Sequence, residues 1–237
     1  MQQEGTRIVY EDRRWFLIAP QKRKIKVPKN QRYGVVSLDP GVRNFLSFYS
    51  EVATGIIGKG DFNHIYYLCL QLDEIISRMS KAKCKQKKRL KSAKQRLIWR
   101  ISDLIDDLHK KTACFLVTRF DTILLPTFET SEMVVKLHSK TAKNMLTFAH
   151  YRFKQFLKCK AEEYSCKIID VSEDYTSRTC SYCGILHNKN SKKRMICSCG
   201  ANVDRDLNGA RGILLKNFSL ANPLVLWANT GFINHNC

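Results

Sequence analysis

The sequence predicts an α/β protein built on a mixed five-stranded sheet with helices, and a small zinc ribbon inserted near the C-terminal end. Three observations carry this prediction. Short apolar runs typical of strands alternate with longer segments in which apolar residues recur at helical spacing. Two of the strand-like runs end on a carboxylate, at Asp39 and Glu129. Four cysteines form two closely spaced pairs, Cys180/Cys183 and Cys197/Cys199.

The composition favours a soluble, intracellular partner of nucleic acid. The 237 residues suffice for one sizeable core, or for one domain with a small satellite, and the formal net charge is +20. Such an excess predicts a polyanionic partner, nucleic acid ahead of an acidic membrane surface, although charge alone does not choose between them. No apolar run is long enough for a membrane span, and the N-terminal residues carry no signal-peptide core. The cysteines outside the two pairs show no disulfide spacing, which indicates a reducing compartment; they are Cys69, Cys84, Cys114, Cys159, Cys166 and Cys237.

Residues 1–32 predict the closing strands of an antiparallel, wedge-like β module. The runs 7–10 and 15–19 are rich in β-branched and aromatic residues, and the basic segment 22–27 follows before Pro28. Two or three strands alone cannot bury a core, so we expect the rest of such a module to come from elsewhere.

Residues 33–175 predict the main α/β core. A meander of three strands begins at Tyr33, and its first strand ends at Asp39-Pro40-Gly41. Helix-spaced apolar residues over 61–118 then predict two long antiparallel helices. A fourth strand starts at Asp121 and leads to Glu129, with Pro126 shortening its paired part. A helix over 133–164 and a fifth strand over 167–171 complete the order of elements.

The segment 176–203 predicts a zinc ribbon. Two cysteines two or three positions apart can place both thiolates about 2.3 Å from one Zn²⁺, and a second pair completes a tetrahedron. The second pair departs from the usual spacing, because the single residue Ser198 separates Cys197 from Cys199. Disulfides or a chance grouping are the alternative. A last helix over 204–218 follows, with Asp206 in its first turn, and the tail 219–237 carries no recognisable motif.

Three carboxylates predict a catalytic metal site. Parallel pairing of the first and fourth core strands would put Asp39 and Glu129 side by side, and Asp206 would close over them from the last helix. Three such carboxylates repel one another unless divalent cations neutralise them, which favours a Mg²⁺ site and phosphodiester hydrolysis. Each residue alone has an ordinary alternative role: Asp39 in a turn, Glu129 after a strand, and Asp206 at a helix N-terminus, a role that Asp204 can share. Their conjunction carries the hypothesis.

Several runs of the chain resemble the RuvC-type, ribonuclease-H-like nuclease domain of TnpB-like proteins, and most closely the Fanzor branch of eukaryotes and large viruses. These runs are 38–43, 124–129, 150–153, 175–184 and 204–211, and the similarity covers about residues 10–217. The resemblance implies an RNA-guided, Mg²⁺-dependent DNA endonuclease related to type V CRISPR effectors. It implies guide RNA and target DNA as partners, and the nucleus or a viral factory as the compartment.

The resemblance also implies roles for individual residues. Asp39, Glu129 and Asp206 match the catalytic acids, which would hold two Mg²⁺ ions. The cysteines match the ligands of a structural Zn²⁺. Family members carry a long N-terminal section with a recognition lobe, whereas this sequence has only the tail of the wedge domain. A fragment, a decayed copy, or a minimal nuclease whose partner supplies that lobe all remain open.

A run of basic residues predicts the nucleic-acid contact. Residues 81–100 contain ten Lys or Arg and no acidic residue. The candidate phosphate contacts are Lys81, Lys85, Lys88, Arg89, Lys91 and Arg96. The nearby Trp99, Tyr66 and Tyr67 can stack on bases, although packing in a helix interface is the commoner role of such residues. His109 and His150 lie near apolar positions, which favours hydrogen-bonding roles over metal binding.

Two other functions stay open at this stage. The first is a catalytically silent nucleic-acid-binding remnant that keeps the charge and the ribbon. The second is a DNA-strand-transfer transposase, for which the sequence supplies no recognisable DNA-end-binding domain.

Overall fold

The computed structural model describes residues 5–20, 22, 25–28, 31–41, 44–126, 140–172, 176, 178–187 and 193–221. Within these ranges only the backbone is described at 62, 140–148 and 219–221. Glu129 and Cys237 lie outside the described residues.

The N-terminal part forms a two-stranded antiparallel hairpin of β1 (Arg7–Glu11) and β2 (Arg14–Ile18). Asp12 and Arg13 connect the strands with positive φ angles of 50° and 64°, as a type I′ turn requires. Beyond the hairpin, the backbone N–H of Lys26 donates to the carbonyl of Glu163 at 2.7 Å, so the basic segment that follows the hairpin is tied to a distant part of the chain.

The centre of the molecule is a five-stranded sheet with the order β5-β4-β3-β6-β7. Its strands are β3 (Tyr33–Pro40), β4 (Leu46–Ser50), β5 (Thr54–Ile57), β6 (Phe120–Pro126) and β7 (Lys167–Val171). The first three form an antiparallel meander, while β6 pairs in parallel with both β3 and β7. This mixed sheet confirms the predicted fold class.

One face of the sheet is covered by two long helices, α2 (Cys84–Arg119) and α3 (Lys140–Glu163). A third helix, α1 (Asp61–Lys81), packs on these two helices in a separate apolar cluster. The three helices match the predicted helical pair and the helix that follows the fourth core strand. Alternate residues of β3 point to this face, where Leu38 packs with Leu116 of α2 and Phe153 of α3 in the main core. None of the helices in the described part of the chain is long and apolar enough to cross a membrane.

The opposite face of the sheet carries a single helix, α4 (Arg205–Ala221). Its residues Ile213 and Leu214 pack on Leu124 of β6. Ser37 of β3 also points to this face, and its hydroxyl donates to the carbonyl of Ala210 at 2.6 Å. A short hairpin of β8 (Arg194–Ile196) and β9 (Asn202–Asp204) leads directly into α4. The start of this helix therefore lies at the end of β3 that carries Asp39.

Candidate active site and metal centre

Asp39 lies at the carboxyl end of β3, on the side of the sheet that faces α4. It pairs with Ser47 of β4 and is half-buried. Its carboxylate lies against Gly209 of α4, where an added Cβ would overlap with a carboxylate oxygen and sit 3.2 Å from the carboxylate carbon. Since strand side chains alternate, Ser37 and Asp39 both meet α4, and the small Ser37 side chain allows the helix to approach closely.

Asp206 lies in the first turn of α4, one helical turn before Gly209. The capping role belongs to Asp204, whose Oδ1 accepts hydrogen bonds from the backbone N–H groups of Asp206 at 2.9 Å and Leu207 at 3.3 Å. The carboxylate of Asp206 is half-buried and forms an ion pair with the Arg205 guanidinium at 3.3 Å. The helix thus carries a second half-buried carboxylate, one turn before the glycine that Asp39 contacts, and this carboxylate does not serve as the helix cap.

The structure does not describe Glu129, so its position stays a prediction. The strand that precedes it is informative. The register aligns Ser37 of β3 with Leu124 of β6 in parallel pairing. Both strands therefore end at the same edge of the sheet, and the chain leaves Pro126 from the edge that carries Asp39.

The four ribbon cysteines converge in space. Their sulfur atoms all lie within 4.8 Å of one another. The Sγ atoms of Cys180 and Cys199 are 3.8 Å apart, and those of Cys183 and Cys197 are 3.5 Å apart. A tetrahedron with Zn–S bonds of about 2.3 Å has S···S edges of about 3.8 Å, whereas a disulfide would bring two sulfurs to about 2.0 Å. These residues can hold a zinc ion, and the alternative of disulfide pairing does not fit.

The short second knuckle is compatible with this geometry. Gly200 adopts a φ of 91°, and its N–H donates to the carbonyl of Cys197 at 3.0 Å, which closes a tight turn around Cys199. A hydrogen bond from the backbone N–H of Cys199, opposed in part by burial, lowers the pKa of the Cys197 thiol to about 6. A thiolate is the form that binds zinc, so the single-residue spacing still provides a suitable ligand.

Asn208 of α4 fastens the first cysteine knuckle to the helix. Its side chain is only 2% exposed. Its Oδ1 accepts hydrogen bonds from the backbone N–H and the hydroxyl of Ser181, both at 2.9 Å, and its Nδ2 donates to the carbonyl of Thr179 at 2.8 Å. The two residues that flank Cys180 are thus tied to the helix that carries Asp206.

Arg211, one turn further along α4, reinforces this connection. Its guanidinium donates to the carbonyl of Ser181, lies 4.2 Å from the ring centre of Tyr182, and donates to the hydroxyl of Tyr49 on β4 at 3.3 Å. Sequence reasoning assigned no role to Asn208 or Arg211. Their i, i+3 spacing within the 204–211 motif was the available signal.

The predicted nucleic-acid contacts lie on α1 and the first half of α2. All six side chains are exposed, from Lys81 at the end of α1 to Arg96 on α2. Trp99 on the same helix is engaged with the N-terminal hairpin, because its Nε1 donates to the carbonyl of Asp12 at 2.8 Å and Arg14 lies 4.5 Å above its ring. Trp99 therefore serves in packing.

Comparison with known proteins identifies relatives among TnpB-like and Cas12f1-like proteins. Residues 150–213 match the family model of the Cas12f1-like TNB domain. Protein R186 of Acanthamoeba polyphaga mimivirus, which carries a transposase name, is 31% identical over 214 residues, covering 86% of this chain and 44% of R186. The TnpB-like protein L79 of the same virus is 29% identical over 214 residues, covering 86% of this chain and 41% of L79.

A solved structure shares the fold. A cryo-EM structure of a Cas12f1–sgRNA–target DNA complex superposes with a TM-score of 0.52 and 19% identity, covering 92% of this chain and 55% of that chain. At this identity the likeness is one of fold. The chain spans less than half the length of the two viral relatives.

Proposed function

We propose that this TnpB-like chain, with its RuvC-type fold, is a metal-dependent DNA endonuclease directed by a guide RNA. The observation that carries the proposal is the contact between the Asp39 carboxylate and Gly209, one helical turn from Asp206. Asp39 and Asp206 are both half-buried, and they lie on two elements that touch at the edge of the sheet where β6 also ends, which supports the proposal that their carboxylates converge. Such a convergence of acidic groups is unfavourable without a bound cation.

The three acids have distinct proposed roles in holding Mg²⁺. Asp39 would contact both ions of a pair, while Glu129 and Asp206 would each help to hold one. Paired divalent ions supply an activated water and stabilise the leaving oxygen of a phosphodiester. The chain's own contribution is to keep the carboxylates in place: strand pairing fixes Asp39, and the Asp204 cap fixes the first turn of α4.

The cysteine cluster has a proposed structural role. Zinc bound to Cys180, Cys183, Cys197 and Cys199 would order the ribbon. Asn208 and Arg211, which hydrogen-bond the first cysteine knuckle, would then hold α4 in a fixed position against the ordered ribbon. The ribbon also joins directly to α4 through β9. Zinc would therefore support the position of Asp206 without taking part in the chemistry.

Guide RNA and target DNA are the proposed partners. The structural relative named above is solved as a complex with a guide RNA and target DNA. The exposed basic residues of α1 and α2 provide the positive charge that such a partner requires. Because the chain spans only part of its relatives, we propose that a partner or a further segment supplies the recognition lobe.

The experiment that tests this function is cleavage of guide-matched DNA by protein purified with its copurifying RNA. The RNA is sequenced, and duplex and single-stranded DNAs that match it are incubated with Mg²⁺ or with EDTA. We expect Mg²⁺-dependent cleavage of matched DNA that is lost after RNase treatment. Equal cleavage of matched and unmatched DNA, or cleavage that persists after RNase treatment, would contradict guidance by RNA. DNA binding without any cleavage would favour the catalytically silent alternative.

A further inference from the structure

Two buried histidines stack on Phe45, the residue that directly precedes β4. His109 of α2 stacks on the Phe45 ring with centroids 5.4 Å apart, and His150 of α3 stacks on it at 5.3 Å. The histidine side chains are 4% and 6% exposed. Both imidazole rings therefore pack face to face with the Phe45 ring in a buried environment.

The two histidines differ in their hydrogen bonding. His150 donates a hydrogen bond to the backbone carbonyl of Gly41. One ring nitrogen of each histidine, Nε2 of His109 and Nδ1 of His150, is buried without a hydrogen-bond partner among the described residues, so the bond to Gly41 comes from the other nitrogen of His150. The backbone N–H of Gly41 in turn donates to the carbonyl of Phe45 at 3.4 Å. Both backbone polar groups of Gly41, its N–H and its carbonyl, are thus hydrogen-bonded, and His150 provides the partner from α3.

Packing alone does not account for a histidine at position 150. Burial lowers the pKa of His150 to about 4, against a smaller opposing effect of the Gly41 bond, so the ring is neutral near pH 7. A buried imidazole carries a desolvation cost that a phenylalanine of similar shape would avoid. The hydrogen bond to Gly41 offsets that cost and gives the polar ring a function.

We propose that His150 is a positioning residue for Asp39. Gly41 lies two residues after Asp39, and Pro40 between them has a fixed φ angle, so a restrained Gly41 carbonyl limits the directions available to the Asp39 carboxylate. His150 therefore supports Asp39 from the α3 side of the sheet, while Gly209 limits it from the α4 side. This role rests on the proposed function, because positioning of Asp39 matters for activity only if Asp39 binds a catalytic metal ion.

The test compares two matched substitutions. His150→Phe keeps the stacking on Phe45 and removes the N–H donor, while His109→Phe makes the same chemical change at the other histidine that stacks on Phe45, which has no hydrogen bond to Gly41. The Mg²⁺ concentration for half-maximal cleavage is measured with the RNA-loaded protein. We expect His150→Phe to raise it by about five- to tenfold, in line with the loss of one buried hydrogen bond. We expect His109→Phe to leave it within twofold, since no bond to Gly41 is lost.

A second measurement does not depend on activity. Amide hydrogen exchange of peptides that cover residues 33–50 is followed in the full chain. We expect faster exchange at Gly41 and Phe45 in His150→Phe than in His109→Phe. If the wild-type protein cleaves nothing, the proposed function fails and this comparison alone decides the inference. Equal exchange and equal Mg²⁺ dependence in the two variants would overturn it.

A third variant separates positioning from folding. His150→Gln keeps an N–H donor and loses the ring, so we expect a Mg²⁺ dependence closer to that of the wild type than His150→Phe shows. If His150→Phe does not fold, the His150→Gln variant decides. If the Gly41 amide of His150→Gln exchanges at the wild-type rate, the result supports the role of residue 150 as a hydrogen-bond donor. If it exchanges at the rate expected for an unprotected amide, the result overturns that role.

Discussion

The carboxylate of Asp39 and the Cα of Gly209 are in direct contact, and no space is left for a side chain between them. The contact joins the end of β3 to the second turn of α4, so a strand near the start of the core and a helix near its end define one site. The hydrogen bond from Ser37 to Ala210 fixes the same two elements one layer deeper. Any group placed at position 209 must therefore displace either the helix or the carboxylate.

We predict that Gly209→Ala strongly reduces cleavage. The new methyl group would overlap with the Asp39 carboxylate, and a displacement of about 1 Å at a reacting group can lower a rate by about 100-fold. The measurement is the single-turnover cleavage rate with Mg²⁺ on matched DNA.

Gly212→Ala is the control on the same helix. A Cβ at position 212 would meet the Cβ of Thr176 at 3.4 Å, which is ordinary contact. We expect this variant to cleave at the wild-type rate, with a free energy of unfolding unchanged or raised by up to about 1 kcal/mol from the better helix propensity. Equal rates in the two variants would show that the contact with Asp39 is not critical.

We predict that Asn208→Ala weakens the junction between the ribbon and α4 while zinc stays bound. The change leaves the Ser181 N–H and the Thr179 carbonyl without their partner, which should lower the free energy of unfolding by about 1–3 kcal/mol. Cleavage should fall as well. Asn202→Ala is the control, because Asn202 is exposed and bonds Arg194 at the surface, and we expect a change within about 0.5 kcal/mol.

Zinc content completes this comparison. Cys183 and Cys114 are both exposed, but only Cys183 belongs to the four-cysteine cluster. We expect Cys183→Ser to lose zinc and cleavage, whereas Cys114→Ser and Asn208→Ala keep the metal, as measured by elemental analysis of the purified proteins. Full zinc occupancy in Cys183→Ser would contradict the assignment of this cysteine as a ligand.

The basic run of α2 should govern the salt dependence of DNA binding. Replacement of Lys85, Lys88 and Lys91 by alanine removes up to three phosphate contacts, so the slope of log K against log salt should become shallower by up to about 2.7. The control replaces Lys154, Lys158 and Lys160, whose charges are paired with Asp170 and Glu163. A slope that changes equally in both triple variants would argue against a specific contact at α2.

The buried histidines predict a loss of stability in mild acid. Burial lowers the pKa of His109 to about 3, with further lowering by Arg152 and His150, whereas the unfolded chain has an ordinary value near 6.5. Stability contributed by neutral His109 is therefore fully present above pH 6.5 and is lost as the pH falls below it, because the unfolded state takes up the proton first.

Urea unfolding at pH 7.5 and pH 5.5 measures this effect. We expect the wild type to lose about 1 kcal/mol more than His109→Phe between the two pH values. Both proteins share the cysteine cluster and the surface carboxylates, so the difference reports on His109. The same loss in both would contradict its neutral, buried state.

The sequence predicted the fold class because the periodicities of strands and helices are local properties. The run that ends at Asp39 and the segment over 167–171 are strands, and the helical pair predicted over 61–118 corresponds to α1 and α2. Of the helix predicted over 133–164, the described part runs from Lys140 to Glu163. The hydrogen bond from Lys26 to Glu163 on a distant helix was not predicted, because no local pattern reveals such a partner.

The candidate site was only partly visible in the sequence. Asp39, Asp206 and the cysteines carry recognisable spacing, and the structure brings the cysteines together and sets Asp39 beside α4. Asn208, Arg211 and His150 act through contacts with backbone groups far away in the sequence. Their roles depend on how α4 and α3 pack, which spacing alone does not specify.

The most direct measurement of the central claim is Mg²⁺-dependent cleavage by Asp39→Ala, with Asp170→Ala as the control for loss of an acidic side chain at the surface. Asp170 is ion-paired with two lysines on the edge strand β7, away from α4. We predict that Asp39→Ala abolishes cleavage and leaves nucleic-acid affinity within a few-fold, while Asp170→Ala cleaves like the wild type. An Asp39→Ala protein that still cuts matched DNA with Mg²⁺ at the wild-type rate would contradict the account.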